Sequence, residues 1–314
     1  MSFLRASHIA ARAVAALCCL MTCIHPTVLA VPTTTDDFVR LNKEFGQAPT
    51  NARIDRVWKG IPGLSGWQLD IPASQRLTAS ATDGKYHLQW KSVAPTEHLE
   101  KLPPAPVYRA PATEKSATLM INVSWGEEYL PSMIETLHKE GVRATFFLDG
   151  AWVKKNLTLA RKLVEEGQDI GSHGTGHPDF RQLSMEKLSR QLDVTHTILY
   201  TQLGVDSRII APPSGSYDER LVQLARHRQT TVILWTADTV DWKHPRPAVI
   251  LERVRSQLTP GMMILMHPTA ETAQALPQII HLLRNQGYCI KTVSDVLAER
   301  RMTHPPKVLA KEQN

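Results

Sequence analysis

The sequence predicts an α/β fold on a parallel sheet, preceded by a small α+β module. From Ala117 onward, short apolar runs alternate with amphipathic segments about seven times. Several of those segments open on a cap or a proline and close on a glycine just past the end. No internal repeat interrupts the pattern. A barrel and a doubly wound sheet both satisfy it, and in either one the loops after the strand C-termini carry the chemistry.

The N-terminus reads differently. Arg5 and Arg12 precede the apolar run "AVAALCCLMTCI", and the small residues Val28 and Ala30 follow. A positive start, a short apolar stretch and small residues at the cut describe a secretory signal over residues 1–30, with an uncleaved N-terminal anchor as the alternative. Thr22 ahead of Cys23 argues against a lipoprotein box. Cys18, Cys19 and Cys23 lie in this stretch and leave Cys289 alone, so the exported body holds together by core burial without an internal disulfide. Localisation outside the cytoplasm of a bacterium follows.

Hydrophobic residues make up 42% of the 314 and charged residues 21%, which suits a globular body. The formal net charge of +6 is not gathered into a run. No basic stripe with interleaved aromatics and no zinc-finger spacing is present, which argues against nucleic acid as a partner. A basic excess of this size suits an anionic wall or lipid surface, with membrane contact only through the N-terminal segment if it stays.

The elements follow in order. Residues 31–101 form the small module: a short helix around Phe38–Phe45, "RIDRVWKGIPG", then "GWQLDI" and "YHLQWKSV" as strands around the helix "ASQRLTASA". Residues 102–116, "LPPAPVYRAPATEKS" with its end flanks, are Pro-rich, extended and linker-like. Residues 117–298 carry the alternation. "ATLMINVSW", "RATFFLDG", "QDIGSHG", "SRIIAPPSG", "TTVILWTADTVDW", "GMMILMHPT" and the start of "YCIKTVSDVLAERR" read as strands with their loops. "LPSMIETLHKEG", "NLTLARKLVEEG", "SMEKLSRQLDVTHTILYTQLG", "DERLVQLARHRQ", "PAVILERVRSQL" and "ALPQIIHLLRNQG" read as the helices between them. Residues 299–314 read as a polar C-terminal tail.

Five titratable residues fall in the loops after strands: His173, His177, Asp238, Asp241 and His267, together with "SWGEE". Two histidines four apart are a weak metal signal alone. Their company strengthens it.

At these residues the chain resembles the polysaccharide deacetylase family, the NodB-homology proteins of carbohydrate esterase family 4. The resemblance covers residues 116–298. It extends to a sporulation-associated branch found in bacilli through "RIDRVWKGIPG", "INVSWGEEYLP", "ATFFLDG", "APPSGSYDE", "WTADTVDW" and "GMMILMHPT". It implies an incomplete (β/α)7-type barrel and metal-dependent removal of acetyl from an N-acetylated cell-wall polysaccharide.

The motifs carry over one by one. His173 and His177 match the family's His-x-x-x-His and would be ligands of a divalent metal, Zn²⁺ by the chemistry of imidazole. Asp238, Asp241 and Trp242 match Asp-x-x-Asp-Trp, where the second Asp orients the acid histidine and favours its protonated form. Leu265 and His267 match Leu-x-His, which makes His267 the general acid. As a plain alternative, Asp241 and His267 are a buried structural pair.

Two motifs fail. Where the family has Thr-Phe-Asp-Asp-Gly, this chain has Asn122, Val123, Ser124, Trp125 and Gly126. Ser124 stands for the base and Trp125 for a metal ligand, and an indole N–H is a donor only. Where the family has Arg-Pro-Pro-x-Gly, this chain has Ala211, Pro212, Pro213, Ser214 and Gly215. That Arg pairs with the base carboxylate, so without the base it would be a buried unpaired charge. The two losses are one physical change. Glu127, Glu128 and Asp149 are the acids that could fill the gap, with Glu128 or Asp149 as a relocated ligand or base. The plain alternative is a solvated loop face for Glu127 and Glu128 and a helix cap for Asp149.

Three functions remain open on the sequence. One is a hydrolase with a rearranged site, in which metal-activated water needs only a weak base. The second is a pseudo-deacetylase that binds glycan or acts as an exported scaffold, with Trp125, Trp242, Trp235 and Pro213 as sugar contacts. The third is a tethered interaction protein acting through residues 31–110.

Overall fold

Thr34 opens the described chain as a helix cap. Its hydroxyl accepts from Asp37 N, and the Asp37 carboxylate accepts from Thr34 N. The computed structural model describes residues 34–83 and 85–306. The predicted export segment and the last part of the C-terminal tail lie outside them.

The capped helix α1 (Thr35–Phe45) turns Phe38 and Leu41 onto Leu69. The hairpin of β1 (Arg53–Asp55) and β2 (Lys59–Ile61) follows, then β3 (Gly66–Leu69), α2 (Ile71–Ser80) and β4 (Trp90–Val93). β3 and β4 pair antiparallel, as do β1 and β2, so the module is α+β without a parallel crossover.

The larger unit runs β5 (Ser116–Val123), α3 (Leu130–Glu140), β6 (Thr145–Leu148), α4 (Gly150–Lys155), α5 (Leu157–Glu165), β7 (Asp169–Ser172), α6 (Met185–Leu203), β8 (Ile209–Ile210), α7 (Glu219–His227), β9 (Thr231–Val232), β10 (Ala237–Asp238), α8 (Pro247–Ser256), β11 (Met262–Met266), α9 (Ala270–Asn285), β12 (Cys289–Lys291) and α10 (Val293–Leu297). Its strands follow the order β10-β11-β5-β6-β7-β8-β9, with β12 added against β5, and every pairing is parallel. β5 is buried along all eight residues, as a central strand covered on both faces should be. The curled sheet is the incomplete barrel that the family resemblance implies.

Three features depart from the sequence pattern. "TTVILWTADTVDW" yields two strands rather than one. Thr236 N donates to Met263 O, and Met263 N donates to the Thr236 hydroxyl, so the chain leaves β8 and crosses to β11. A short helix, α4, follows β6, nucleated by the Asp149 cap. The Pro-rich segment 102–116, read as a linker, contributes to the wall. Val107 is 0% exposed, its N–H donates to Val232 O and its carbonyl accepts from Leu234 N. No helix lies between β9 and β10, and this segment covers the gap.

The residues read as the start of a polar tail are also built in. Glu299 is buried, and its carboxylate accepts from Gly63 N at 2.7 Å and Leu99 N at 2.9 Å and meets His98 Nδ1. Arg301 N donates to the Ser65 hydroxyl, and its side chain donates to Ser65 O. The chain end thus straps the module to the barrel. Among the described residues no helix is long and apolar enough to cross a membrane.

Candidate functional site

His173 follows directly on β7 and is 1% exposed. Its N–H donates to Leu148 O, and its Nδ1 lies 2.7 Å from Ala211 O. A carbonyl only accepts, so Nδ1 carries the proton and Nε2 is left with a lone pair. Burial pushes this imidazole down to about 3, so it is neutral through the physiological range. His177 sits four residues on in a left-handed conformation, φ 52°. Its N–H donates to Asp149 Oδ2 at 3.0 Å, while Asp149 Oδ1 accepts from Ala151 N and Trp152 N. One carboxylate therefore caps α4 and fixes the His177 turn. The two imidazole rings lie 5.3 Å apart at 62°.

Asp241 and His267 form a second, tighter group. Asp241 is 0% exposed, in a turn between left-handed Val240 and His244. Its Oδ1 meets His267 Nδ1 at 2.8 Å, and its Oδ2 accepts from His267 N and the Thr272 hydroxyl, both at 2.6 Å. Thr272 is the contact the sequence reading missed. Its only local signal is the cap Thr269-x-x-Thr272, whose hydroxyls also bond. Asp238, the other acid of that motif, accepts from Val240 N and so shapes the turn.

The third group is the altered loop. Trp125 stacks on His267, with ring centroids 5.9 Å apart and planes within 8° of parallel, and remains 40% exposed. Gly126 has φ 78°, and a Cβ there would lie 2.0 Å from Pro268 O, so the loop is seated on the His267–Pro268 segment. Ser124 Oγ and Asn122 Oδ1, on the same cavity wall, have no hydrogen-bond partner among the described residues. Ala211 is fully buried and offers the site only its carbonyl.

A cavity of about 380 Å³ opens between these groups. His173, His177, His267, Trp125, Trp235 and Trp242 line it, with Asn122, Ser124, Ser214 and Asp238 also on its wall. Trp242 is half exposed, with the Lys243 ammonium over its ring at 4.9 Å. Pro213 is buried and does not line the cavity; its neighbour Ser214 does.

The donor set does not suit a catalytic divalent metal. Such a site takes three protein ligands and a water. Among the described residues no group of three His, Cys, Asp or Glu side chains is placed to hold one. Glu128 is exposed, Glu127 accepts from Trp152 Nε1 at 3.3 Å, and the Asp149 oxygens are taken by three backbone N–H groups. Neither Glu128 nor Asp149 joins the two histidines in a ligand group. Asp149 instead has the cap geometry of the plain alternative.

Residues 109–233 match the family model described as polysaccharide deacetylase. Over 270 residues the chain is 39% identical to the Bacillus subtilis protein YlxY, covering 85% of this chain and 84% of that one. To the B. subtilis peptidoglycan-N-acetylmuramic acid deacetylase PdaA it is 28% identical over 203 residues, covering 63% and 77%. Among solved structures it is similar to a carbohydrate esterase family 4 pseudoenzyme from Bacillus anthracis, with a TM-score of 0.78 and 41% identity over 85% of this chain and 96% of that one. A mutant of that pseudoenzyme is described as having restored enzymatic activity.

Proposed function

The chain belongs to the polysaccharide deacetylase family, carbohydrate esterase family 4, and on that premise we propose that it binds N-acetylated cell-wall glycan without hydrolysing it. One observation carries the reading. The indole of Trp125 stands at the position of the family's carboxylate ligand and lies flat on His267, the residue matching the family's acid. Two histidines without a third ligand hold a catalytic metal poorly, whereas three indoles around one cavity suit the apolar faces of sugar rings. The family's deacetylases are generally metal-dependent, and this chain has given up both the ligand and the base.

In this reading the barrel over residues 117–298 offers the glycan mouth, and residues 1–30 deliver it outside the cytoplasm. A role in sporulation rests on the branch resemblance and belongs to the same proposal. The test is metal content, acetate release and glycan affinity on one preparation dialysed against Zn²⁺. We expect no stoichiometric zinc, no acetate from N-acetylated glycan, and saturable binding that weakens in Trp242→Ala. Zinc at one per chain that disappears in His173→Ala/His177→Ala, together with acetate release lost in His267→Ala, would favour the rearranged hydrolase instead. The intact Asp241–His267–Thr272 group is the observation on that side.

A further inference from the structure

The β1–β2 hairpin is tied to the barrel wall by aromatic contacts that lead back to the cavity. Trp235 lines the cavity and packs on Gly215, where an added Cβ would lie 2.8 Å from its ring. Two residues on, the Tyr217 hydroxyl bonds the Tyr108 hydroxyl at 2.9 Å. The Tyr108 ring meets Trp58 of the hairpin edge-on at 6.4 Å, and the Arg109 guanidinium lies over the Trp58 ring at 5.5 Å. Trp58, Tyr108 and Tyr217 are all partly exposed. Side-chain contacts thus run from the module through Trp58 and Tyr108 to Tyr217, and the backbone from Tyr217 to Gly215 carries them on to Trp235 at the mouth.

The hairpin end of this row is cationic. Arg53 is exposed and makes no hydrogen bond or ion pair among the described residues, and Arg109 donates only to the carbonyls of Ala110 and Pro260. The local carboxylate, Asp55, caps the turn, where Oδ1 accepts from Val57 N and Trp58 N at 2.8 Å each, and its charge offsets the two arginines only in part. Arg109 is held below the usual guanidinium range by burial first and by Arg53 next, with Asp55 acting in the opposite sense. A bound anion would relieve that repulsion. Arg56 and Lys59 add exposed positive charge to the same hairpin.

We propose that Trp58, Tyr108 and Tyr217, with Arg53 and Arg109, form a second glycan subsite continuous with the mouth, which takes a carboxylate-bearing sugar of the same chain. The ring stacks on the aromatic row and the carboxylate meets the two guanidinium groups, a geometry that arginine favours. This rests on the glycan-binding reading above and gives the module a part in it.

The experiment titrates the full chain with two probes of equal length. One is chitohexaose, which is neutral. The other is a peptide-free chain alternating N-acetylglucosamine and N-acetylmuramic acid, which carries a carboxylate on every second ring. The parent should bind the acidic probe about tenfold more tightly, and Arg53→Glu and Arg109→Gln should each lose most of that preference with chitohexaose affinity kept within about twofold. Trp242→Ala should weaken both probes. Equal affinity of the parent for both probes, or a preference that survives Arg53→Glu, overturns the subsite and leaves the glycan mouth standing. Binding of neither probe overturns both. The hairpin also exposes Ile54 and Val57, at 45% and 67%. If Arg53→Glu releases the chain from phosphatidylglycerol vesicles but leaves the glycan preference intact, the hairpin is a membrane contact and the proposal fails.

Discussion

The two halves of the candidate site have been treated differently. On one side Asp241 and Thr272 are buried beside a part-buried His267, with three donors converging on the Asp241 carboxylate. On the other, Ser124 Oγ and Asn122 Oδ1 line the cavity beside Trp125 and have no hydrogen-bond partner among the described residues. The Asp241 carboxylate clamps the loop after β11 to the turn after β10. By the family's motifs Ser124 and Ala211 stand where a base and its arginine would pair, and either one restored alone would leave a buried charge unpaired.

The strongest way to break this comparison is to rebuild the missing half. Ser124→Asp/Trp125→Asp/Ala211→Arg should take bound zinc from none to one per chain and bring acetate release above background, read by metal analysis and an acetate assay. The double carboxylate variant without the arginine should be less stable than the triple. If the triple variant folds and still binds no metal, the base half was not lost as one piece.

Next in size is the clamp. Asp241→Ala removes a buried carboxylate and leaves three donors unpaired, at a cost of about 3–5 kcal/mol, visible as a fall in denaturant midpoint with little change in slope. The pH dependence of stability should follow His173. Its pKa is about 3 in the fold against 6.5 for the free side chain. The folded value is the lower one, so the unfolded chain binds the proton first. The contribution is complete above about 6.5 and drains away as pH falls toward 3. Melting temperature should drop across that window, and His173→Asn should flatten this part of the curve.

Smaller effects complete the series. Trp242→Ala should cost glycan affinity about tenfold with stability unchanged, since half of the ring is already in solvent. Ser124→Ala should be neutral or stabilising by up to about 1 kcal/mol, because it removes a buried hydroxyl without a partner. Asp241→Ala and Ser124→Ala together are the sharpest measure of how far the two halves have diverged.

Much of this molecule is written locally. The apolar alternation from Ala117 encodes strands and helices one turn at a time, and caps such as Thr34, Ser184 and Asp218 mark where helices begin. The motif positions His173, His177, Asp241 and His267 were legible because loops after parallel strands converge at one end. The loss of the carboxylates at Ser124 and Trp125 was legible only through the resemblance to the family's Thr-Phe-Asp-Asp-Gly motif. Other features depend on partners far away in the chain, and no window of sequence contains both. Trp125 lying on His267, Thr272 completing the Asp241 shell and Asp149 serving both α4 and His177 are of this kind. So are Val107 in the barrel wall and Glu299 strapping Gly63, 236 residues away. Local pattern determined which elements form and which residues could meet; only the packed structure decided which of them do, because a side chain's partner is set by the closure of the whole sheet and not by its neighbours in sequence.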